Sequence, residues 1–236
     1  MCQYPGAAMK SLRYLVPSSI TALALTCGVI AAIYGAQGKP LEGGWFVLYA
    51  TILDRLDGVT ARALNATSKF GVWLDSSSDF VAFGVAPAFL FLGASPTGFE
   101  PILVAPMAIY ILGAGTRLVR FSLQDAEKEF RGVPSTLAGG VYAAGITSGF
   151  SHGLVGDQAL WLYGAVLIVF GLAMNTPWIR YGKVGGLSTP WINYLGISVV
   201  ATCALFIMIG ILPEFVFGAS FLVMLTAPII SRYEAS

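Results

Sequence analysis

Charge is scarce in this chain. Its 236 residues include 13 Lys and Arg, 12 Asp and Glu and one His, so 11% are charged and 56% hydrophobic. A soluble domain carries about 25% charged residues. With a mean hydropathy of +0.77, a soluble globular class is excluded and the chain reads as an integral membrane protein. The net charge of +1, with no stretch joining a basic patch to exposed aromatics, excludes nucleic acid as a partner. Cysteine is nearly absent: Cys2, Cys27 and Cys203 stand far apart without CxxC or Cys/His spacing. Neither a zinc site nor a disulfide framework is expected. The single histidine, His152, falls in a polar connection and reads as a solvated bystander.

Long apolar runs are abundant instead. About 20 apolar residues cross a bilayer, and eight such segments lie near 15–36, 43–64, 70–93, 101–122, 134–151, 158–175, 190–211 and 213–231. Short Gly- and Pro-containing breaks separate them and leave no room for a soluble domain. The expectation is one domain over 1–236, an all-α bundle of about eight transmembrane helices. The first run follows Lys10 and Arg13, as a signal peptide would, but it is longer than a usual signal core; it reads as a retained span, with cleavage as the alternative.

Basic residues accumulate on the cytoplasmic side of short loops. With the N-terminus inside, Lys10, Arg13, Arg55, Arg62, Lys69, Arg117, Arg120, Lys128, Arg131, Arg180, Lys183 and Arg232 all fall on that side, and Lys39 alone falls outside. The bias holds only for an even number of crossings, so both termini are expected in the cytoplasm. Gly145 and Gly149, one small-xxx-small pair, read as helix packing ahead of a dimer face.

Four aspartates interrupt the oil within residues 54–79: Asp54, Asp57, Asp75 and Asp79. A carboxylate in hydrocarbon costs a few kcal/mol, so such residues persist where something compensates them. Spacings of three and four place each pair on one helix face, and the Asn65–Lys69 turn can bring the two faces together. Four carboxylates meeting without a counter-charge would repel. Hard divalent cations with oxygen ligands, Mg²⁺ or Mn²⁺, are the remedy, and a two-metal site is expected. The bland alternative is that the aspartates pair with Arg55, Arg62 and Lys69 in a solvated hairpin. Gly58, Ala61 and Gly71 leave space along the same helices for a ligand to approach the backbone, or for close helix packing.

The pattern Asp54-x-x-Asp57-Gly58-x-x-Ala61-Arg62, eight residues, Gly71-x-x-x-Asp75-x-x-x-Asp79 resembles the complete signature of the CDP-alcohol phosphatidyltransferase family. That family transfers a phosphatidyl or similar group from a CDP-linked lipid to an alcohol and releases CMP. The resemblance implies that Asp54, Asp57, Asp75 and Asp79 hold two divalent ions. It makes Asp79 also the base for the acceptor hydroxyl, and Asp57, Gly58, Ala61, Arg62 and Gly71 the holders of the cytidine diphosphate portion. It also implies a homodimer in the cell (inner) membrane with the site at the cytoplasmic face.

Residues 69–91, Arg117 to Gly140, Met174 to Val184 and the opening 14–35 are most similar to the membrane-embedded phosphatidylserine synthase branch, which implies CDP-diacylglycerol and L-serine as substrates. Ser122, Thr136 and the serines between Asp75 and Asp79 depart from that branch. Serine needs a cation near the metal centre, and Arg117, Arg120, Lys128 and Arg131 could supply it, Arg120 and Arg131 foremost. The same residues could instead set topology and meet anionic headgroups. Inositol phosphate or glycerol phosphate would exploit the same arginines, so other acceptors stay open. A divalent-cation transporter is the reading from another class. It would need polar groups continuing to the outer face and a matching second half, which the chain lacks.

Overall fold

The structure is a computed structural model. It describes the backbone of residues 5–123, 129–178 and 180–182 with positions 214, 218, 221 and 222, and side chains for 13–122, 132–178 and those four positions. The chain runs α1 (Pro5–Ala36), α2 (Pro40–Ala63), α3 (Lys69–Asp79), a π-helical segment (Phe80–Val85), α4 (Ala86–Gly93), a 3₁₀ turn (Pro101–Leu103), α5 (Val104–Leu123), β1 (Glu129–Arg131), α6 (Ser135–Ser151), α7 (Asp157–Ala173) and β2 (Arg180–Gly182).

Six of the expected apolar segments are helical. Three helices are long and apolar enough to cross a membrane: Arg13–Ala36, Lys69–Gly93 and Pro101–Ser122. Helix α7 is apolar but shorter, and α2 carries Asp54, Arg55, Asp57 and Arg62 in its last three turns. The expected spans at 190–211 and 213–231 lie almost wholly outside the described residues. Large apolar side chains such as Phe70, Trp73, Leu112 and Trp161 stand exposed, a surface suited to lipid rather than water.

The described residues have the expected all-helical architecture, with one short ribbon added to it. Strands β1 and β2 pair antiparallel with Phe130 opposite Tyr181. Gly132, at φ +80°, ends β1, and the Val133 N–H donates to the Ala173 carbonyl at 3.2 Å, tying the ribbon to the end of α7. Three-residue strands sit below any periodicity signal.

Helix α6 runs through the core. Ala138, Val141, Ala143, Ala144, Ile146 and Thr147 are all buried, and such small side chains let neighbouring helices come close. On the other side, α1 lies against the third apolar segment so tightly that a Cβ on Gly28 would stand 2.7 Å from the Ala82 Cα.

The α2–α3 hairpin is the local structure on which the site depends. Helix α2 ends as Asn65 takes the left-handed region, φ 49°, and the Ala66 N–H returns to the Ala61 carbonyl at 2.9 Å. Asparagine tolerates that conformation and ends helices this way. Ser68 then caps α3, its Oγ accepting from the Gly71 N–H at 3.0 Å, a standard start signal. The chain thus reverses within a few residues, and the last turns of α2 face the first turns of α3.

Candidate active site

The reversal brings the acidic faces together. One carboxylate oxygen from each of Asp54, Asp57 and Asp75 lies within 4.8 Å of the others. Asp79, one turn beyond Asp75, neighbours the Asp54 side chain and lies in the field of Arg117, beside the three aspartates whose oxygens converge. Two unit charges 4.8 Å apart repel by about 3–4 kcal/mol at an effective dielectric of about 20, so the cluster calls for a cation. Among the described residues no ion pair joins these aspartates to Arg55, Arg62 or Lys69, and Arg55 and Arg62 are exposed. A close set of hard oxygen donors suits Mg²⁺, Mn²⁺ or Ca²⁺ and not a soft metal. The donor set therefore fits the metal that its spacing suggested.

A cavity of about 110 Å³ opens beside the cluster, lined by Asp57, Gly58, Ala61, Gly71 and Asp75 together with Pro17, Ser18 and Thr21 of α1 and Ala66–Ser68 of the turn. A Cβ on Gly58 would meet only the Arg62 guanidinium, 3.4 Å away. The glycine leaves free volume there, with a cation over it. Gly58 and Ala61 of α2 and Gly71 of α3 thus line the cavity with Asp57 and Asp75, and the Arg62 guanidinium stands beside Gly58.

Of the four basic candidates for the acceptor, Arg117 and Arg120 fall among the described side chains, and each feels the other's charge. Arg117 stands near Asp79 and donates from Nη1 to Ser135 Oγ at 3.0 Å, while its buried Nε has no protein partner. Arg120 lines a different cavity, a groove of about 560 Å³ bounded by Phe80, Ile111, Leu112, Gly115, Thr116 and Val119. Lys128 and the Arg131 side chain lie outside the described residues. His152 is exposed as expected, but its Nδ1 sits 3.3 Å from Glu214 Oε1.

Several polar contacts of the site carried no sequence signal. The hydroxyl of Thr21 donates to Asp57 Oδ2 at 2.6 Å, and Ser78 Oγ donates to the Thr21 carbonyl at 3.3 Å. Ser76 and Ser77 turn back onto the Val72 and Trp73 carbonyls.

These elements define a helical membrane protein with an acidic, oxygen-rich centre between two helices and a small cavity at its edge. The model of the CDP-alcohol phosphatidyltransferase family matches residues 14–176. The chain belongs to that family. It is 36% identical over 124 residues to a CDP-diacylglycerol–serine O-phosphatidyltransferase of Helicobacter pylori, covering 51% of this chain and 52% of that protein. It is 31% identical over 207 residues to a protein of the same name from Mycobacterium bovis, covering 80% and 69%. With another of that name from Methanocaldococcus jannaschii it shares 32% over 163 residues, covering 68% and 75%. The match spans about half the length of the Helicobacter relatives. Family membership sets aside the cation-transporter reading.

Proposed function

We propose that the protein transfers a phosphatidyl group from CDP-diacylglycerol to the hydroxyl of L-serine, giving phosphatidylserine and CMP. The observation that carries this is the convergence of Asp54, Asp57 and Asp75, with Asp79 against Asp54, beside a glycine-walled cavity. The names of the relatives support serine as acceptor.

Asp54, Asp57, Asp75 and Asp79 would hold two divalent cations, Mg²⁺ or Mn²⁺. When bound, such ions neutralise a diphosphate and the departing phosphate of CMP. Asp57, Gly58, Ala61, Arg62 and Gly71 hold the cytidine diphosphate, the glycines admitting it close to the backbone and Arg62 offering its forked donors to phosphate oxygens. Asp79 accepts the serine hydroxyl proton as the oxygen attacks the lipid-bearing phosphorus. The bond from that phosphorus to the bridging oxygen breaks, and CMP leaves with the electron pair. Arg117, fixed by Ser135, offers its unpartnered Nε to the serine carboxylate. Arg120, Lys128 and Arg131 remain in the acceptor proposal on charge alone. The apolar groove from Phe80 to Arg120 supports a lateral path for acyl chains, since Phe80 directly follows Asp79.

The wider setting belongs to the same proposal: eight crossings, a single domain over 1–236, a homodimer in the cell (inner) membrane and an active centre at the cytoplasmic face. The distribution of Lys and Arg supports the orientation.

The test is CMP release by purified protein in detergent with CDP-diacylglycerol, Mn²⁺ or Mg²⁺, and in separate reactions serine, inositol phosphate or glycerol phosphate. CMP with serine alone is the expected result. Release with a phosphorylated acceptor alone would overturn the choice of serine, and release with none would overturn the reaction.

A further inference from the structure

Thr21 lies on α1, outside the acidic signature, yet it touches the signature directly. Its hydroxyl stands 2.6 Å from Asp57 Oδ2 and 3.0 Å from the Pro17 carbonyl, one turn back. A threonine hydroxyl has one hydrogen to donate. In helices it usually goes to the carbonyl four residues earlier, as at Thr26, Thr51, Thr60 and Thr147. Thr21 has that partner available, and its shorter contact goes to the carboxylate, where a charged acceptor makes the stronger bond. Among the described residues it is the one back-bonding helical hydroxyl that also reaches a carboxylate.

The surroundings make this contact directional. Thr21 and Asp57 are each 5% exposed and Ser78 is 4% exposed, so the bond is largely shielded from bulk solvent at the edge of the cavity that Thr21 and Asp57 both line. Ser78, between Asp75 and Asp79, donates to the Thr21 carbonyl. The Thr21 residue therefore links α1 to both acid-bearing helices, through its side chain to α2 and its backbone to α3. A hydroxyl on Oδ2 restrains the rotation of the Asp57 carboxylate, one oxygen of which lies within 4.8 Å of oxygens of Asp54 and Asp75.

We infer that Thr21 is a positioning residue for the cation site, holding the Asp57 carboxylate in the orientation that a divalent ion requires. The inference rests on the reading of the aspartates as cation ligands. Hydrogen bonds behind ligating groups govern affinity, and losing one costs about 10–100-fold.

The experiment uses the full chain in detergent and Mn²⁺ alone, with bound ion measured by loss of the free-ion EPR signal. Thr21→Val keeps the branched shape and removes the hydroxyl. Thr21→Ser keeps the hydroxyl. The expected result is Mn²⁺ binding about 10–100-fold weaker in T21V and within about threefold of the parent in T21S, with both variants still unfolding cooperatively in metal-free buffer. Equal Mn²⁺ affinity in T21V and the parent overturns the inference, as does an equal loss in T21S. Should T21V not fold, Thr21→Ala is read by the same criteria. Asp57→Asn separates the two levels: if the parent binds no Mn²⁺, or D57N binds it as well as the parent, the cation site itself fails and Thr21 falls with it.

Discussion

The hydroxyl of Tyr110, on α5, donates a 2.7 Å hydrogen bond to the backbone carbonyl of Phe83, both residues being almost completely buried. The reason lies four residues beyond Phe83. Pro87 stands where an α-helix would supply the N–H for that carbonyl, and proline has none. The helix widens to π geometry over Phe80–Val85, with the Ala86 N–H reaching back to the Val81 carbonyl. Asp79 sits at the mouth of this widened segment, so the Tyr110 bond steadies the stretch that carries the last signature carboxylate.

Tyr110→Phe would leave the Phe83 carbonyl unsatisfied in the core. The expected cost is about 1–3 kcal/mol of stability, read as a lowered midpoint in thermal or denaturant unfolding in detergent. An unchanged midpoint would show that the carbonyl finds another donor.

Asp79→Asn keeps the size of the side chain and removes its ability to accept a full proton. Turnover should fall by at least about 100-fold, with binding of the CDP-lipid retained in a direct binding assay. Asp54→Asn and Asp75→Asn should instead raise the Mn²⁺ concentration needed for half-maximal activity. Near-normal activity in D79N would remove the base role.

At Gly58 an added methyl would point at the Arg62 guanidinium and otherwise into free space. Gly58→Ala should therefore leave the Tm unchanged while raising KM for CDP-diacylglycerol about tenfold or more, KM for serine moving little. A stability loss without a KM change would make this glycine a packing residue.

At Gly93 the outcome is the reverse. A Cβ there would collide with the backbone carbonyl of Gly35, and one on Gly35 with the Phe89 carbonyl, a rigid α1–α4 contact far along the chain from the signature. Gly93→Val should lower the Tm by several degrees or prevent folding, because backbone cannot yield as a side chain can. Normal thermal stability would mean that α1 and α4 separate at little cost.

Sequence alone disclosed the apolar segments and the acidic hairpin, because both depend on periodicity: a 20-residue run to span lipid, and steps of three and four to place Asp54 with Asp57 and Asp75 with Asp79. It could not disclose contacts between distant segments. Thr21 meets Asp57 across 36 positions, and Arg117 meets Ser135 across 18, with no local pattern announcing either. Pro87 lies within the third apolar run, and nothing near it in sequence shows that Tyr110 meets the carbonyl it leaves open. The acceptor cations carry no spacing of their own, and of the four only Arg117, in the field of Asp79, and Arg120, on the edge of an apolar groove, fall among the described side chains.

The most direct test of the whole account is anomalous diffraction at the manganese edge from crystals of the protein grown with Mn²⁺. The account predicts anomalous density bounded by the carboxylates of Asp54, Asp57 and Asp75, with Asp79 alongside. Ordered aspartate side chains with no such density between them, or manganese held elsewhere, would contradict it.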